Sequence, residues 1–206
     1  MDFYRFLRYT KDMKESKDKG KSPLIEWVKI VLDNNKEAIA IVENRQEEIT
    51  KAFKEILSGY QTNPATILKK VAETENFGGL VCEAGIKFMS MCRHHFLPFF
   101  GTANIVYEPG EHIIGLGKIS RLVQVYAKRL QFQEKLSNEI ANEFMQSAGA
   151  KGVFVETKAR HLCMGHRGPN DPGAVAVVTV ALGTLKGYEA EQRARELIAH
   201  SSTHEK

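Results

Sequence analysis

The chain has 206 residues, is 43% hydrophobic and carries a formal charge of +4. Such a chain can bury one sizeable core, so we expect one principal domain with an appendage rather than two full domains. Its three cysteines are too few for a disulfide scaffold, and the odd number favours a reducing compartment. The mild positive charge is compatible with a polyanionic small ligand but does not require one.

Residues 1–21 predict a flexible basic arm. This stretch has no continuous apolar run, so we expect neither a signal peptide nor a membrane span, and we predict a cytoplasmic protein. The cluster from Lys11 to Lys21 lacks interleaved aromatic residues, which is more typical of a solvated arm than of a nucleic-acid site. We therefore expect no nucleic-acid partner and no membrane partner.

Residues 22–75 predict a helical region. Ser22 suits an N-cap and Pro23 suits the first helical position, and apolar residues repeat at helical spacing up to Leu32. A second helix is predicted from about residue 44 to Gly59, and a short third helix over residues 64–73.

Residues 76–206 predict a catalytic domain of strands and long helices. Predicted strands cover residues 80–82, 86–89, 102–107, 112–116, 152–159 and 174–182. Predicted helices cover residues 120–130, 136–149 and 189–200. The turn-forming residues 108–111 predict a hairpin between the third and fourth strands. This order indicates an α+β fold with an antiparallel sheet.

Two separate clusters of cysteine and histidine point to a metal. Cys92 and His95 could bind one ion from a single tight turn, and Cys163 could add a thiolate from a remote strand. Three protein ligands and one open position are typical of a catalytic zinc rather than a structural one. His94 and His161 would remain beside the metal, where an imidazole suits proton transfer.

The alternative interpretation is that these residues have no metal role, because a single C-x-x-H pattern often occurs by chance. Two separate clusters of cysteine and histidine beside strand-like segments strengthen the metal hypothesis. The third cysteine, Cys82, is most simply a buried free thiol.

Several short motifs occur together in one order. They are Cys92-x-His94-His95, Pro98-Phe99-x-Gly101, Gly115-Leu116-x-Lys118-Ile119-x-Arg121, Gln131-x-Gln133-Glu134, His161-x-Cys163 and Arg167-Gly168. In order and spacing this set resembles the GTP cyclohydrolase I family, over about residues 78–186. The resemblance implies the tunnelling fold, an antiparallel sheet with helices on one face, here with an N-terminal helical layer. It also implies a homo-oligomer, which in this family is a toroidal decamer.

The resemblance assigns chemistry to the metal cluster. It implies that Zn2+ held by Cys92, His95 and Cys163 activates water for attack on C8 of the guanine ring. Ring opening and loss of formate need proton donors, and the positions of His94 and His161 match those donors.

The resemblance also implies a set of substrate-binding residues. Glu134 matches the carboxylate that anchors the guanine edge, and Gln133 beside it is placed with the substrate-binding residues. Lys118, Arg121 and Arg167 match triphosphate ligands. Without the resemblance, Glu134, Lys118 and Arg167 would be interpreted as solvated surface charges.

The chain departs from the family pattern at several positions. Arg93 stands where the family usually has glutamate, and Gly117 stands where it usually has serine before the triphosphate lysine. Residues 174–179 replace a strand rich in threonine and serine, and an upstream D-T-P-x-R segment is not recognisable near residues 44–47. These changes affect the phosphate end of the site and the exact substrate.

Three classes of function follow from the sequence. The first is a zinc-dependent GTP cyclohydrolase I that gives formate and 7,8-dihydroneopterin triphosphate. The second is a divergent enzyme that acts on GTP or a related purine nucleotide with an altered product. The third is a noncatalytic assembly protein with a zinc site, which the two spare histidines and Glu134 argue against, because a folding metal does not require them.

Overall fold

The structure is a computed structural model that describes residues 22–68, 70–74 and 77–202. The predicted basic arm lies outside the described residues. The chain divides into two compact units, residues 1–53 and 54–206. Within the described ranges, no helix combines the length and the apolar character needed to cross a bilayer.

Three helices follow one another from residue 23. They are α1 (Pro23–Val31), α2 (Lys36–Asn44) and α3 (Gln46–Ile56). Ser22 is the N-cap of α1 and Pro23 its first residue, as predicted. The helix α2 was not expected. Its N-cap is Asn35, whose side chain accepts a hydrogen bond from the Ala38 amide at 3.0 Å.

The second unit contains seven strands and four helices among its described residues. The strands are β1 (Lys70–Glu73), β2 (Val81–Cys92), β3 (Pro98–Glu108), β4 (His112–Ile114), β5 (Leu130–Gln131), β6 (Gly152–His161) and β7 (Ala176–Gly183). The helices are α4 (Leu116–Ala127), α5 (Gln133–Gln146), α6 (Leu162–Gly165) and α7 (Tyr188–Ser202). Two 3-10 turns, Ser58–Gln61 and Pro64–Thr66, precede the first strand.

A five-stranded sheet in the order β5-β2-β3-β6-β7 forms the centre of this unit. All its neighbours are antiparallel except β5 and β2, which pair in parallel over two residues. The two segments predicted at residues 80–82 and 86–89 are one strand, interrupted by a bulge between Glu83 and Ile86. The predicted antiparallel sheet is therefore confirmed.

Two predictions about the small strands are wrong. The third helix predicted over residues 64–73 is a 3-10 turn followed by β1. The strand β4 does not pair with β3 in a hairpin; it pairs with β1 in a separate two-stranded sheet. The turn residues 108–111 favoured the hairpin, but β4 pairs with β1, which lies about 40 residues earlier in the sequence.

The long helices α4 and α5 cover one face of the five-stranded sheet. Their buried residues, including Leu122, Phe144 and Ile140, join one core with Tyr107 and Val153 of the sheet. Because successive strand residues point to opposite faces, their neighbours Val106 and Phe154 lie on the other face. There they form a second, smaller cluster with residues Leu185, Ala194 and Ile198.

Candidate metal centre and active site

A tight turn between β2 and β3 brings His95 back beside Cys92. The turn is closed by two backbone hydrogen bonds, from the Cys92 amide to the Leu97 carbonyl and from the Phe96 amide to the Cys92 carbonyl, each 2.8 Å long. Phe96 has a φ of 55°, in the left-handed region that few non-glycine residues adopt. The turn is thus held in one shape at the end of the sheet.

Cys92, His95 and Cys163 form a compact group of metal-ligand atoms. Cys92 Sγ lies 3.9 Å from His95 Nδ1 and 4.0 Å from Cys163 Sγ, and all three atoms lie within 4.8 Å of one another. Both thiols are buried, and the imidazole is exposed. Cys163 reaches the turn from α6, directly after the end of β6.

This spacing fits a zinc ion. Thiolates bind zinc at about 2.3 Å and imidazole nitrogens at about 2.0 Å, so two thiolates of a tetrahedral site lie about 3.8 Å apart. The observed separation of 4.0 Å between the two Sγ atoms is close to that value. Three protein donors leave the fourth tetrahedral position open, and no other group of three or more such ligands is found in the described part of the chain.

The electrostatics of the cluster also suit a cation. Burial raises the pKa of the Cys163 thiol, the nearby Cys92 raises it further, and the charge of Arg167 acts in the opposite direction. The Cys163 thiol therefore resists ionisation, and a bound divalent cation would reverse that balance.

The two spare histidines flank the ligand group. The His94 ring lies 5.8 Å from the His95 ring and 4.4 Å from the Phe132 ring, measured between centroids. His161 ends β6, two residues before Cys163, and stacks on Phe99 with centroids 4.5 Å apart and planes at 2°. Burial lowers the pKa of His161, while the charge of Glu134 raises it.

Gln133 and Glu134 open helix α5 but face different surroundings. Glu134 is exposed, whereas Gln133 is only 2% exposed. The Gln133 side-chain amide is engaged by protein groups at both ends, with His161 on its oxygen and Thr157 among the acceptors of its nitrogen. The substrate-binding role predicted for Glu134 suits its exposure.

Lys118 and Arg121 lie far from the metal ligands within one chain. Helix α4 runs in the same direction as β2. Near the start of the helix, Ser120 donates to the Glu83 carboxylate. One turn later, Gln124 donates to the Lys87 carbonyl over a distance of 2.8 Å. Lys118 and Arg121 lie on either side of Ser120 in the sequence of this helix. An extended strand rises about 3.3 Å per residue, so Glu83 lies roughly 30 Å along β2 from Cys92.

Arg167 lies at the same end of the sheet as the predicted metal ligands, close enough to Cys163 to affect the pKa of its thiol. The structure brings eight of the ten predicted site residues to this metal end of the sheet. They are Cys92, His94, His95, Gln133, Glu134, His161, Cys163, with Arg167 beside them in the loop after α6. Lys118 and Arg121 are the two that a single chain does not bring there. Neither they nor Arg167 form an ion pair with any described residue.

Two aromatic residues at this end were not singled out from the sequence. Phe99 supports His161, and Phe132 contacts His94 while the Arg93 guanidinium lies 4.7 Å from its ring centre. Phe99 lies in the Pro98-Phe99-x-Gly101 motif, which could have drawn attention to it. Phe132 gives no such signal, because an aromatic residue before a helix is usually interpreted as core.

The fold and this centre define an α+β enzyme with a candidate metal site at one end of an antiparallel sheet. A family model described as GTP cyclohydrolase I matches residues 25–200. The GTP cyclohydrolase 1 of Clostridium kluyveri is 41% identical over 155 residues, covering 71% of this chain and 83% of that protein. The GTP cyclohydrolase 1 of Streptococcus sanguinis is 39% identical over 160 residues, covering 77% and 86%.

The chain belongs to the GTP cyclohydrolase I family. The resemblance predicted from the motifs is confirmed, and with it the tunnelling fold and the assignment as a hydrolase. Among solved structures, the apo archaeosine synthase QueF-Like matches 52% of this chain and 96% of its own, with 16% identity and a TM-score of 0.43.

Proposed function

We propose that the chain is a zinc-dependent GTP cyclohydrolase I. It hydrolyses the imidazole ring of GTP, releases formate and yields 7,8-dihydroneopterin triphosphate. The observation that carries the proposal is the Cys92, His95 and Cys163 group, with three ligand atoms within 4.8 Å, in a chain of this family. Bound there, zinc would supply Lewis-acid chemistry, lowering the pKa of water in its open position.

The chain's own residues supply recognition and proton transfer. The exposed Glu134 carboxylate would accept two N–H groups of the guanine edge, a pattern that adenine does not offer. His94 and His161, on either side of the ligand group, would hold and deliver the protons needed as the ring opens and formate leaves. Arg167 would meet negative charge near the metal end.

We further propose that a complete pocket takes residues from two chains. The predicted phosphate ligands Lys118 and Arg121 lie beside Ser120, which contacts the far end of β2 at Glu83, so their side chains cannot reach Cys92 of the same chain. An adjacent copy that presents the start of α4 to the metal end would complete the site. The strand β7 also pairs only with β6 among the described strands, and an open edge of this kind is normally covered. We expect a homo-oligomer, as the resemblance implies a toroidal decamer.

A second candidate is a divergent enzyme that acts on GTP or a related purine nucleotide with an altered product. Arg93 favours it, because its guanidinium packs on the same Phe132 ring that contacts the His94 ring. A positive charge therefore lies next to a proposed proton donor, where the family usually has a negative one.

Product analysis with purified protein tests the proposal. Zinc-loaded protein incubated with GTP should release formate and the pterin triphosphate in equal amounts, with the pterin detected by fluorescence after oxidation. ATP should not be turned over, since it lacks the guanine edge that Glu134 would bind. Formate without the pterin would support the divergent enzyme, and no turnover of any purine nucleotide would contradict both candidates.

A further inference from the structure

Gln133, the first residue of α5, is buried beside the metal end and is only 2% exposed. Its side-chain nitrogen donates to three oxygens: the Thr157 carbonyl at 3.1 Å, the Thr157 hydroxyl at 3.0 Å and the Ala176 carbonyl at 3.1 Å. Its side-chain oxygen lies 2.8 Å from Nε2 of His161. Both polar atoms of the amide are therefore engaged by protein groups.

The surrounding oxygens determine which way the amide points. Two of the three acceptors are backbone carbonyls, which cannot donate, so the NH2 group must face them and the oxygen must face His161. Ser137 joins the same network. Its hydroxyl lies 2.9 Å from the Thr157 hydroxyl and donates to the main-chain carbonyl of Gln133 at 3.0 Å. Gln133 and Thr157 are buried, and their satisfied hydrogen bonds hold the Gln133 amide in one geometry.

The amide in turn determines the state of His161. A carbonyl oxygen only accepts, so the Nε2 atom of His161 carries a hydrogen and donates it to Gln133. The parallel Phe99 ring, 4.5 Å away, fixes the plane of the imidazole. The other ring nitrogen, Nδ1, has no hydrogen-bond partner among the described residues.

We infer that Gln133 is a positioning residue for His161 and not a ligand of GTP. Its buried amide holds the imidazole with Nε2 as the donor, which leaves Nδ1 as the nitrogen that exchanges a proton with the substrate. This inference rests on the proposed function, in which His161 transfers a proton, and it replaces the substrate-binding role predicted for Gln133 from the sequence.

The test combines kinetics with a double-mutant cycle. Gln133→Met keeps the side-chain length and removes the hydrogen bonds, so kcat with GTP should fall about 10-fold to 100-fold, the range for losing an outer partner of an active-site histidine. KM for GTP should change by less than about twofold, because binding groups are untouched. The zinc content should remain that of the wild type.

Matched variants separate positioning from packing. Ser137→Ala removes a member of the same network that does not touch His161, so its kcat should stay near that of the wild type. In the His161→Ala background, Gln133→Met should lower kcat by no more than about a further twofold, since its effect passes through the missing ring. If Gln133→Met does not fold, Gln133→Leu, which also lacks polar side-chain atoms, gives the same comparison.

Two results would overturn the inference. A raised KM with unchanged kcat in Gln133→Met would make Gln133 a substrate ligand, and fully additive losses with His161→Ala would make it a packing residue. A wild-type protein that does not turn over GTP would contradict the proposed function instead. The hydrogen bond is then judged by 15N NMR of the His161 ring, which should show hydrogen on Nε2 in the wild type; a ring protonated only on Nδ1 would refute the inference.

Discussion

At the scale of single residues, the metal centre depends on two buried thiols and one exposed imidazole. Cys92 and Cys163 come from positions 71 residues apart, and their Sγ atoms lie 4.0 Å from each other. Removing either thiol leaves two protein ligands, which is too few for a zinc site of this class. The third cysteine, Cys82, lies outside the group.

Zinc content should therefore separate the three cysteines. Cys92→Ser and Cys163→Ser should each bind zinc at least about tenfold less tightly than the wild type, because a serine hydroxyl is a poor substitute for a thiolate. Cys82→Ser is the matched control and should keep about one zinc per chain. Elemental analysis after dialysis measures the content. Full zinc in Cys92→Ser would show that the ligands have been assigned wrongly.

Gly117 is a residue-scale departure at the phosphate end. It lies in the first turn of α4, and a side chain added there would meet no atom within 4 Å. The family's serine could donate a hydrogen bond to a phosphate oxygen, which glycine cannot. The missing bond should weaken the preference for GTP over GDP.

Restoring the hydroxyl should restore that preference. A hydrogen bond to a charged group contributes about 1.5–3 kcal/mol, so Gly117→Ser should lower the dissociation constant for GTP about tenfold. Gly117→Ala is the control and should leave it unchanged. Calorimetric titration with GTP and GDP measures both constants. A wild type that already discriminates strongly against GDP would indicate that other residues, such as Arg93, hold the terminal phosphate.

At the scale of elements, β3 and β6 approach each other unusually closely at Gly101. A β-carbon there would lie 1.8 Å from the Lys158 carbonyl oxygen, and Gly101 pairs with Ala159 in the sheet. Only glycine allows this contact. Phe99 and His161, the proposed proton donor, are stacked across the same two strands two residues away.

Gly101→Ala should consequently destabilise the fold. The added methyl group would have to displace the β6 backbone, and overpacking of this kind costs about 3 kcal/mol. Gly117→Ala, at an open helical position, should instead be neutral or stabilise by about 0.5–1 kcal/mol. Denaturant unfolding of both variants gives the comparison. Equal stability of Gly101→Ala and the wild type would contradict the close approach.

The sequence predicted the elements whose signals are local. The helical repeat after Pro23, the strands either side of the Cys92 turn and the final helix were all expected, because periodicity and turn residues decide them. The pairing of β1 with β4 was missed, since it joins segments about 40 residues apart and neither is strongly periodic. The short helix α2, whose apolar residues Ala38 to Val42 are consecutive, was also missed, and none of its residues is buried.

The candidate site was predictable as chemistry but not as geometry. Spacing and residue type alone selected Cys92, His95 and Cys163, and the structure brings their ligand atoms together. The role of Gln133 could not be foreseen, because its partners lie 24, 28 and 43 residues away. The separation of Lys118 from the metal end depends on the direction of α4 along β2, which no local pattern records.

At the scale of the whole molecule, we propose that one chain completes the pocket of another. The predicted metal ligands, the two histidines and Glu134 lie at one end of the sheet, and Lys118 and Arg121 lie beside Ser120, which contacts the far end of β2. In the proposed assembly, a single chain supplies one half of each of two pockets. A closed, symmetric oligomer of at least two copies would bring the complementary halves together.

Mixing two inactive variants tests this claim most directly. Cys92→Ser lacks the metal half, and the Lys118→Ala and Arg121→Ala double variant lacks the cationic half. Co-expression should restore GTP turnover to about one quarter of the wild-type rate, the share of pockets that random assembly leaves intact. Native mass spectrometry confirms that mixed oligomers form. Turnover no greater than the sum of the two variants alone, in proven mixed oligomers, would contradict the account.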